Sequence, residues 1–80
     1  AFKLEIDFGH LGTKKSSAQI TELYDKEALL GKQILAVVNF PPRQIGPFIS
    51  EVLTLGVPNG EGHVVLVAPE MKVENGVRLY

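Results

Sequence analysis

From residue 2 to residue 8 the chain reads "FKLEIDF", with apolar and polar positions alternating without a break. Phe2, Leu4, Ile6 and Phe8 fall on one face and Lys3, Glu5 and Asp7 on the other, the period-2 pattern of a strand with one buried side. Gly9 and Gly12 in "GHLGTKK" supply a turn, and "KSSAQI" can return as a second strand. "TELYDKEALLGKQ" breaks the alternation. Asp25 is placed to cap a helix, Glu27 suits its positive end and Gly31 suits the position just past its end, so one or two helical turns are expected. "QILAVVNF", "SEVLTLGV" and "HVVLVAP" are apolar on both faces and predict strands covered on both sides. "PNGEG" joins the last two. Asn75-Gly76 precedes "VRLY", where Val77 and Leu79 alternate in a predicted short final strand. Asn-Gly suits tight hairpin turns because both residues tolerate φ > 0. Short strands with one brief helix predict a small all-β barrel, and the mid-chain helix fits an SH3-like barrel less well.

Composition sharpens this picture. Eighty residues make a single domain, 1–80, without repeat, low-complexity tract or linker. A chain of this size buries only about 60 % of its unfolded surface. It is nevertheless 45 % hydrophobic, and oligomerisation is an ordinary way to cover such an excess. There is no initiator Met and the alternation is already under way at Phe2, so the domain is expected to lack its true beginning. The absence of cysteine removes disulfides and thiolate metal sites. No apolar run approaches the ~20 residues of a membrane helix. Net charge is −1, eight Lys/Arg against nine Asp/Glu. A basic coat for nucleic acid is thereby excluded, leaving only a local patch, for which Lys14, Lys15 and Arg43 lie in stretches otherwise free of acids.

Catalytic and metal chemistry find little support. His10 and His63 are the only histidines, with no HxxxH pair and no third His or Cys for zinc. Ser16 or Ser17 with His10 lacks anything like a nucleophile elbow. "GHLG" matches GxxG but follows a strand instead of joining helices, which makes it a turn. There is no phosphate-binding GxxxxGK[ST], and Pro41, Pro42 and Pro47 never fall three apart as a PxxP ligand requires. "TKKSS" reads either as a solvated turn entering a strand or as a phosphate-facing patch of ammonium and hydroxyl groups. "NFPPRQIGPFISE", residues 39–51, is a stiff loop, partly apolar and partly cationic, between strong strands.

"KKSSAQIT" at 14–21, "AVVNFPPRQIGPFISEVLTLG" at 36–56, "GHVVLVAP" at 62–69 and "NGVRLY" at 75–80 occur in that order. Together they resemble the CsaA family of small bacterial OB-fold proteins, described as tRNA-binding and as export-related chaperones. More distantly they resemble the tRNA-binding domains appended to methionyl-tRNA synthetases and found in the endothelial monocyte-activating polypeptide. The resemblance implies an OB-fold, a five-stranded Greek-key barrel with one short mid-chain helix, whose first strand would precede "FKLEIDF" and is missing from this chain. It also implies a cytoplasmic homodimer without enzymatic activity, cofactor, metal or membrane contact. The partner it implies is tRNA, with unfolded or export-bound polypeptides as the alternative.

Carried over by motif, Lys14, Lys15, Ser16, Ser17 and Gln19 match one contact region, and Asn39, Pro42, Arg43, Ser50 and Glu51 match the other. Arg43 would fork onto a phosphate or stack on a base. Asn39, Ser50 and Gln19 would read base edges or a 2′-OH, although Asn39 and Ser50 are equally suited to tying down the loop's own backbone. Pro41 and Pro42 would hold the loop extended. The chain departs from its relatives at Gln44, Gly46-Pro47 and Ile49, where two basic residues are lost. That weakens phosphate neutralisation and turns attention to Phe40, Ile45, Phe48 and Ile49. These four would offer an apolar surface to a peptide, or would pack in the core or a dimer interface.

Overall fold

The opening alternation becomes a hairpin in the computed structural model, which describes all 80 residues. Strand β1 (Phe2–Asp7) pairs antiparallel with β2 (Thr13–Ala18) over its full length, from Phe2 opposite Ala18 to Asp7 opposite Thr13. Its burial alternates residue by residue, with Phe2, Leu4 and Ile6 turned inward. The connection is a 3₁₀ turn at Gly9–Leu11, entered through a hydrogen bond from Gly9 N–H to Asp7 Oδ1 (2.8 Å). Helix α1 (Lys26–Leu29) starts where expected. Asp25 Oδ1 accepts from Ala28 N–H at 2.7 Å, and Gly31, just past the end, takes φ +78°.

The remaining strands are shorter than the apolar runs that encode them. They are β3 (Ala36–Val37), β4 (Arg43–Ile45), β5 (Phe48–Ser50), β6 (Leu53–Thr54), β7 (Gly56–Pro58) and β8 (Val64–Leu66). All strands pair in antiparallel twos, β1 with β2, β3 with β6, β4 with β5 and β7 with β8. A ring of three backbone bonds joins two of these ladders. Leu35 N–H donates to Val67 O (2.9 Å), Val67 N–H to Leu55 O (3.1 Å), and Leu55 N–H to Leu35 O (3.0 Å).

The result is a small, mainly β fold with little helix. The small β class expected from the sequence is present, arranged as four two-stranded ladders that do not close into a barrel. Prolines explain part of the fragmentation, since Pro41-Pro42 follow β3 and Pro58 brings no N–H to β7. Two other expectations change. Asn59-Gly60 does not form a two-residue hairpin turn. Asn59 Oδ1 instead accepts from Glu61 N–H (3.0 Å) and His63 N–H (2.9 Å), and the positive φ falls on Gly62. "VRLY" forms no strand, because its alternation finds no surface to cover: Val77 is 60 % and Leu79 75 % exposed.

Phe8, Ile20, Val52 and Leu66 form the buried apolar core. Tyr24 Oη accepts from Leu66 N–H (3.0 Å), holding the segment before α1 against β8. The C-terminal stretch is clasped by one amide side chain. Gln33 Oε1 accepts from Val73 N–H (3.0 Å), and Gln33 Nε2 donates to Asn75 Oδ1 (3.0 Å) and to Val73 O. Gly76, at φ +89°, then lies against the Phe8 carbonyl so closely that a Cβ would collide with it.

Candidate nucleic-acid interface

Period 2 divides the "KKSS" motif between two faces. Residues 14 and 16 pair with Ile6 and Leu4 on the inward face of β1–β2, whereas 15 and 17 pair with Glu5 and Lys3 on the outward one. Lys15 and Ser17 therefore lie on the side open to a ligand. Lys14 is half-buried on the inward face opposite Ile6. Ser16 is fully buried. Its hydroxyl donates to Val52 O (3.0 Å) and lies 2.8 Å from Thr54 Oγ1, tying β2 to β6.

Two residues of the second motif are held against β2. Ser50 is buried, and its Oγ accepts from Ser17 N–H at 2.9 Å. Glu51 forms a two-point link with β2. Glu51 Oε1 accepts from Lys15 N–H (2.9 Å), while Glu51 N–H donates to Lys15 O (2.7 Å). Ser16, Ser50 and Glu51 thus stitch the two motifs together, and the hydroxyls of Ser16 and Ser50 face other chain segments instead of a ligand. Asn39, Pro42, Arg43 and Gln19 are exposed.

The proline-rich loop is itself a hairpin. In the pairing of β4 with β5, Arg43 lies opposite Ser50, Gln44 opposite Ile49 and Ile45 opposite Phe48. Gly46-Pro47 closes it, with Gly46 at φ +59°, the glycine that a tight primed turn needs at its first central position. Arg43, Ile45, Phe48 and Ser50 share one face of the hairpin, and Gln44 and Ile49 take the other. The apolar side chains of the loop consequently do not form one continuous surface.

One row now crosses both hairpins. Lys3 pairs with Ser17, Ser17 N–H bonds Ser50 Oγ, and Ser50 pairs with Arg43. Phe48 lies beside this row, with Lys3 Nζ 5.5 Å and Lys15 Nζ 5.7 Å from its ring centroid. The face carries three cations, Lys3, Lys15 and Arg43. Acids temper it: Glu5 lies directly opposite Lys15, Asp7 is on the same face of β1, and Glu51 is hydrogen-bonded to the Lys15 backbone. The acid-free patch suggested by chain order does not survive in space. Such a face attracts phosphate through a few placed contacts and not through net charge.

Motif reading omits Lys3 and assigns Phe48 to peptide binding only. The alternation of β1 does place Lys3 outward, but nothing local reveals that β5 lies beside it.

A mainly β domain that gathers two lysines over an aromatic ring beside an arginine-bearing hairpin has the features of a binding module. The comparisons make this specific. Residues 1–78 match the family model described as a putative tRNA binding domain, and the chain belongs to that family in its CsaA-like form. The chaperone CsaA of Bacillus anthracis superposes with a TM-score of 0.92 at 55 % identity, covering 98 % of this chain and 74 % of that one. The CsaA chaperone protein of Picrophilus torridus gives 0.89 at 53 % identity, covering 98 % and 71 %. The methionine–tRNA ligase of Thiobacillus denitrificans is 30 % identical over 83 residues, 96 % of this chain but only 12 % of the ligase. The chain spans about a tenth of the length of such ligases.

Proposed function

We propose that this chain is a non-enzymatic tRNA-binding module, and that the row from Lys3 through Ser17 and Ser50 to Arg43 marks its contact face. The observation that carries this reading is the meeting of Lys3 and Lys15 over the Phe48 ring, which shares its hairpin face with Arg43, in a member of a tRNA-binding family. Arg43, exposed on the hairpin, is the phosphate-forking or stacking group. Asn39, Gln19 and Pro42, all exposed, are further contact residues in this reading. Ser16, Ser50 and Glu51 act by holding the two hairpins in register.

The finer architecture within this reading is an OB-fold barrel, for which the CsaA superpositions are the support. The cellular setting is the cytoplasm, where tRNA is met. A homodimer is part of the proposal as well. Four apolar residues are buried, whereas Leu30, Met71 and Val57 are among the many large ones left exposed. A partner copy is the ordinary cover for such an excess. Light scattering that returns a monomer mass at micromolar concentration removes the dimer.

Filter binding of unfractionated tRNA across a salt series tests the central claim. Three phosphate contacts predict that log K falls linearly with log[salt] at a slope of about −2 to −3. A flat profile, or an Arg43→Ala variant that binds as the wild type does, overturns it.

One observation favours a second reading, the holding of unfolded or export-bound polypeptides. Phe40, Ile45 and Ile49 are 42 %, 46 % and 45 % exposed and so lie outside the core. Because Ile45 and Ile49 take opposite faces of the hairpin, a peptide would have to wrap the arm. Suppression of client aggregation that is unchanged by Ile49→Asp removes that reading.

A further inference from the structure

Two ammonium groups converge on one aromatic ring. Lys3 Nζ is 5.5 Å and Lys15 Nζ 5.7 Å from the Phe48 centroid. Each contact is favourable through attraction of the cation to the ring face. Bringing two like charges to the same ring opposes that gain. An anion between or beside the lysines relieves the repulsion, so the arrangement is better suited to a phosphate-bearing ligand than to solvent alone.

Its position adds to the argument. Phe48 is only half-buried, shares its face with Arg43, and lies beside Lys3 and Lys15 on the outward side of the neighbouring ladder. Ile45 lies opposite the ring on the same face, so part of its contact is apolar packing. The ring also has cations over it and a guanidinium on its own strand pair.

Resting on the tRNA reading above, we propose that Lys3, Phe48 and Lys15 form a stacking subsite for an unpaired nucleotide of the RNA. The base stacks on the Phe48 ring, and the two ammonium groups swing from the ring to the phosphates on either side of that base. Ring stacking needs a base free of its helix, whereas a paired base offers only its edges and backbone. The subsite therefore makes the face selective for looped or single-stranded RNA over continuous duplex. It also gives Lys3 a role in binding that the shared motifs do not include.

The chain contains no tryptophan, so a Phe48→Trp variant carries a single indole reporter at the subsite. Unfractionated tRNA is expected to bind this variant at least as tightly as the wild type and to quench its indole emission. An oligouridylate is expected to compete, and a blunt RNA duplex of equal length is not. Phe48→Leu should weaken tRNA binding about 5- to 150-fold, the equivalent of ~1–3 kcal/mol for one stacked base, at an unchanged salt slope. Lys3→Gln should lower the slope by about 0.7–0.9. Unquenched indole in a variant whose tRNA binding still depends on Arg43 overturns the subsite and leaves the tRNA reading standing. So does a duplex that competes as well as the oligouridylate. Wild-type protein that fails to bind tRNA at low salt overturns both. If Phe48→Leu unfolds, the quenching and competition arms decide the matter alone.

Discussion

Two places in this molecule are built from the same few polar residue types and put them to opposite uses. At the seam where β2 meets residues 50–54, Ser16 and Ser50 are buried and Glu51 is half-buried, and their oxygens bond backbone or hydroxyl groups of another segment. On the face a few ångströms away, Lys3, Lys15, Ser17 and Arg43 belong to the same strands or their neighbours but point outward. Along β2 the difference is parity, with Ser16 turned inward where Lys15 and Ser17 turn outward, whereas Ser50 and Arg43 share a hairpin face and differ because only Ser50 is covered by β2. Successive side chains leave a strand on opposite sides, so a motif of adjacent polar residues is necessarily divided between holding the fold and meeting a ligand. A buried hydroxyl is worth most as a satisfied hydrogen bond, and an exposed cation is worth most to a partner that brings the opposite charge.

Changes at the two places should separate stability from binding. The largest effect is expected at the seam. Ser16→Ala removes a buried donor to Val52 O and the partner of Thr54, so it should cost about 1–3 kcal/mol in urea unfolding. The salt slope of tRNA binding should stay the same. A shift in the slope without a loss of stability would break the division. Arg43→Ala is the converse, with tRNA affinity falling about tenfold, ~1.4 kcal/mol, and stability changing by less than about 0.5 kcal/mol.

The lysine doublet tests parity itself. Lys15→Gln should reduce the salt slope by about 0.7–0.9, whereas Lys14→Gln, on the inward face, should leave it nearly unchanged. Equal losses from the two would show that the inward face also meets the RNA. The smallest effect should come from Glu51→Gln. The amide oxygen keeps the acceptor for Lys15 N–H, while a negative charge leaves the face. Stability should hold within about 0.5 kcal/mol, and tRNA affinity should rise about two- to threefold, most visibly at low salt.

How far each feature was legible follows from the range of the contacts behind it. The Asp25 cap and Gly31 are read correctly because every atom involved lies within a few residues. The β1–β2 hairpin is legible because alternation and a glycine-rich turn are local signals. The hairpin inside residues 39–51 is obscured by its prolines, one of which sits in the Gly46-Pro47 turn itself. The apolar runs overstate their strands, since continuous hydrophobicity reports burial on both sides without giving the register or the points of interruption. For the site, motif resemblance locates the right stretches but not the division of labour within them.

Taken alone, the order of residues determined the small mainly β class, the capped turn of helix, the outward side of β1 and β2, and family membership through its motifs. These depend on period, local hydrogen bonding and recognisable spacing. Only the tertiary structure decided that Ser16 reaches Val52 and Thr54, that Ser17 meets Ser50, and that Phe48 lies beneath two lysines. Those partners are some 30 to 45 residues apart. Their meeting is set by how two hairpins dock, a consequence of core packing that no local pattern carries.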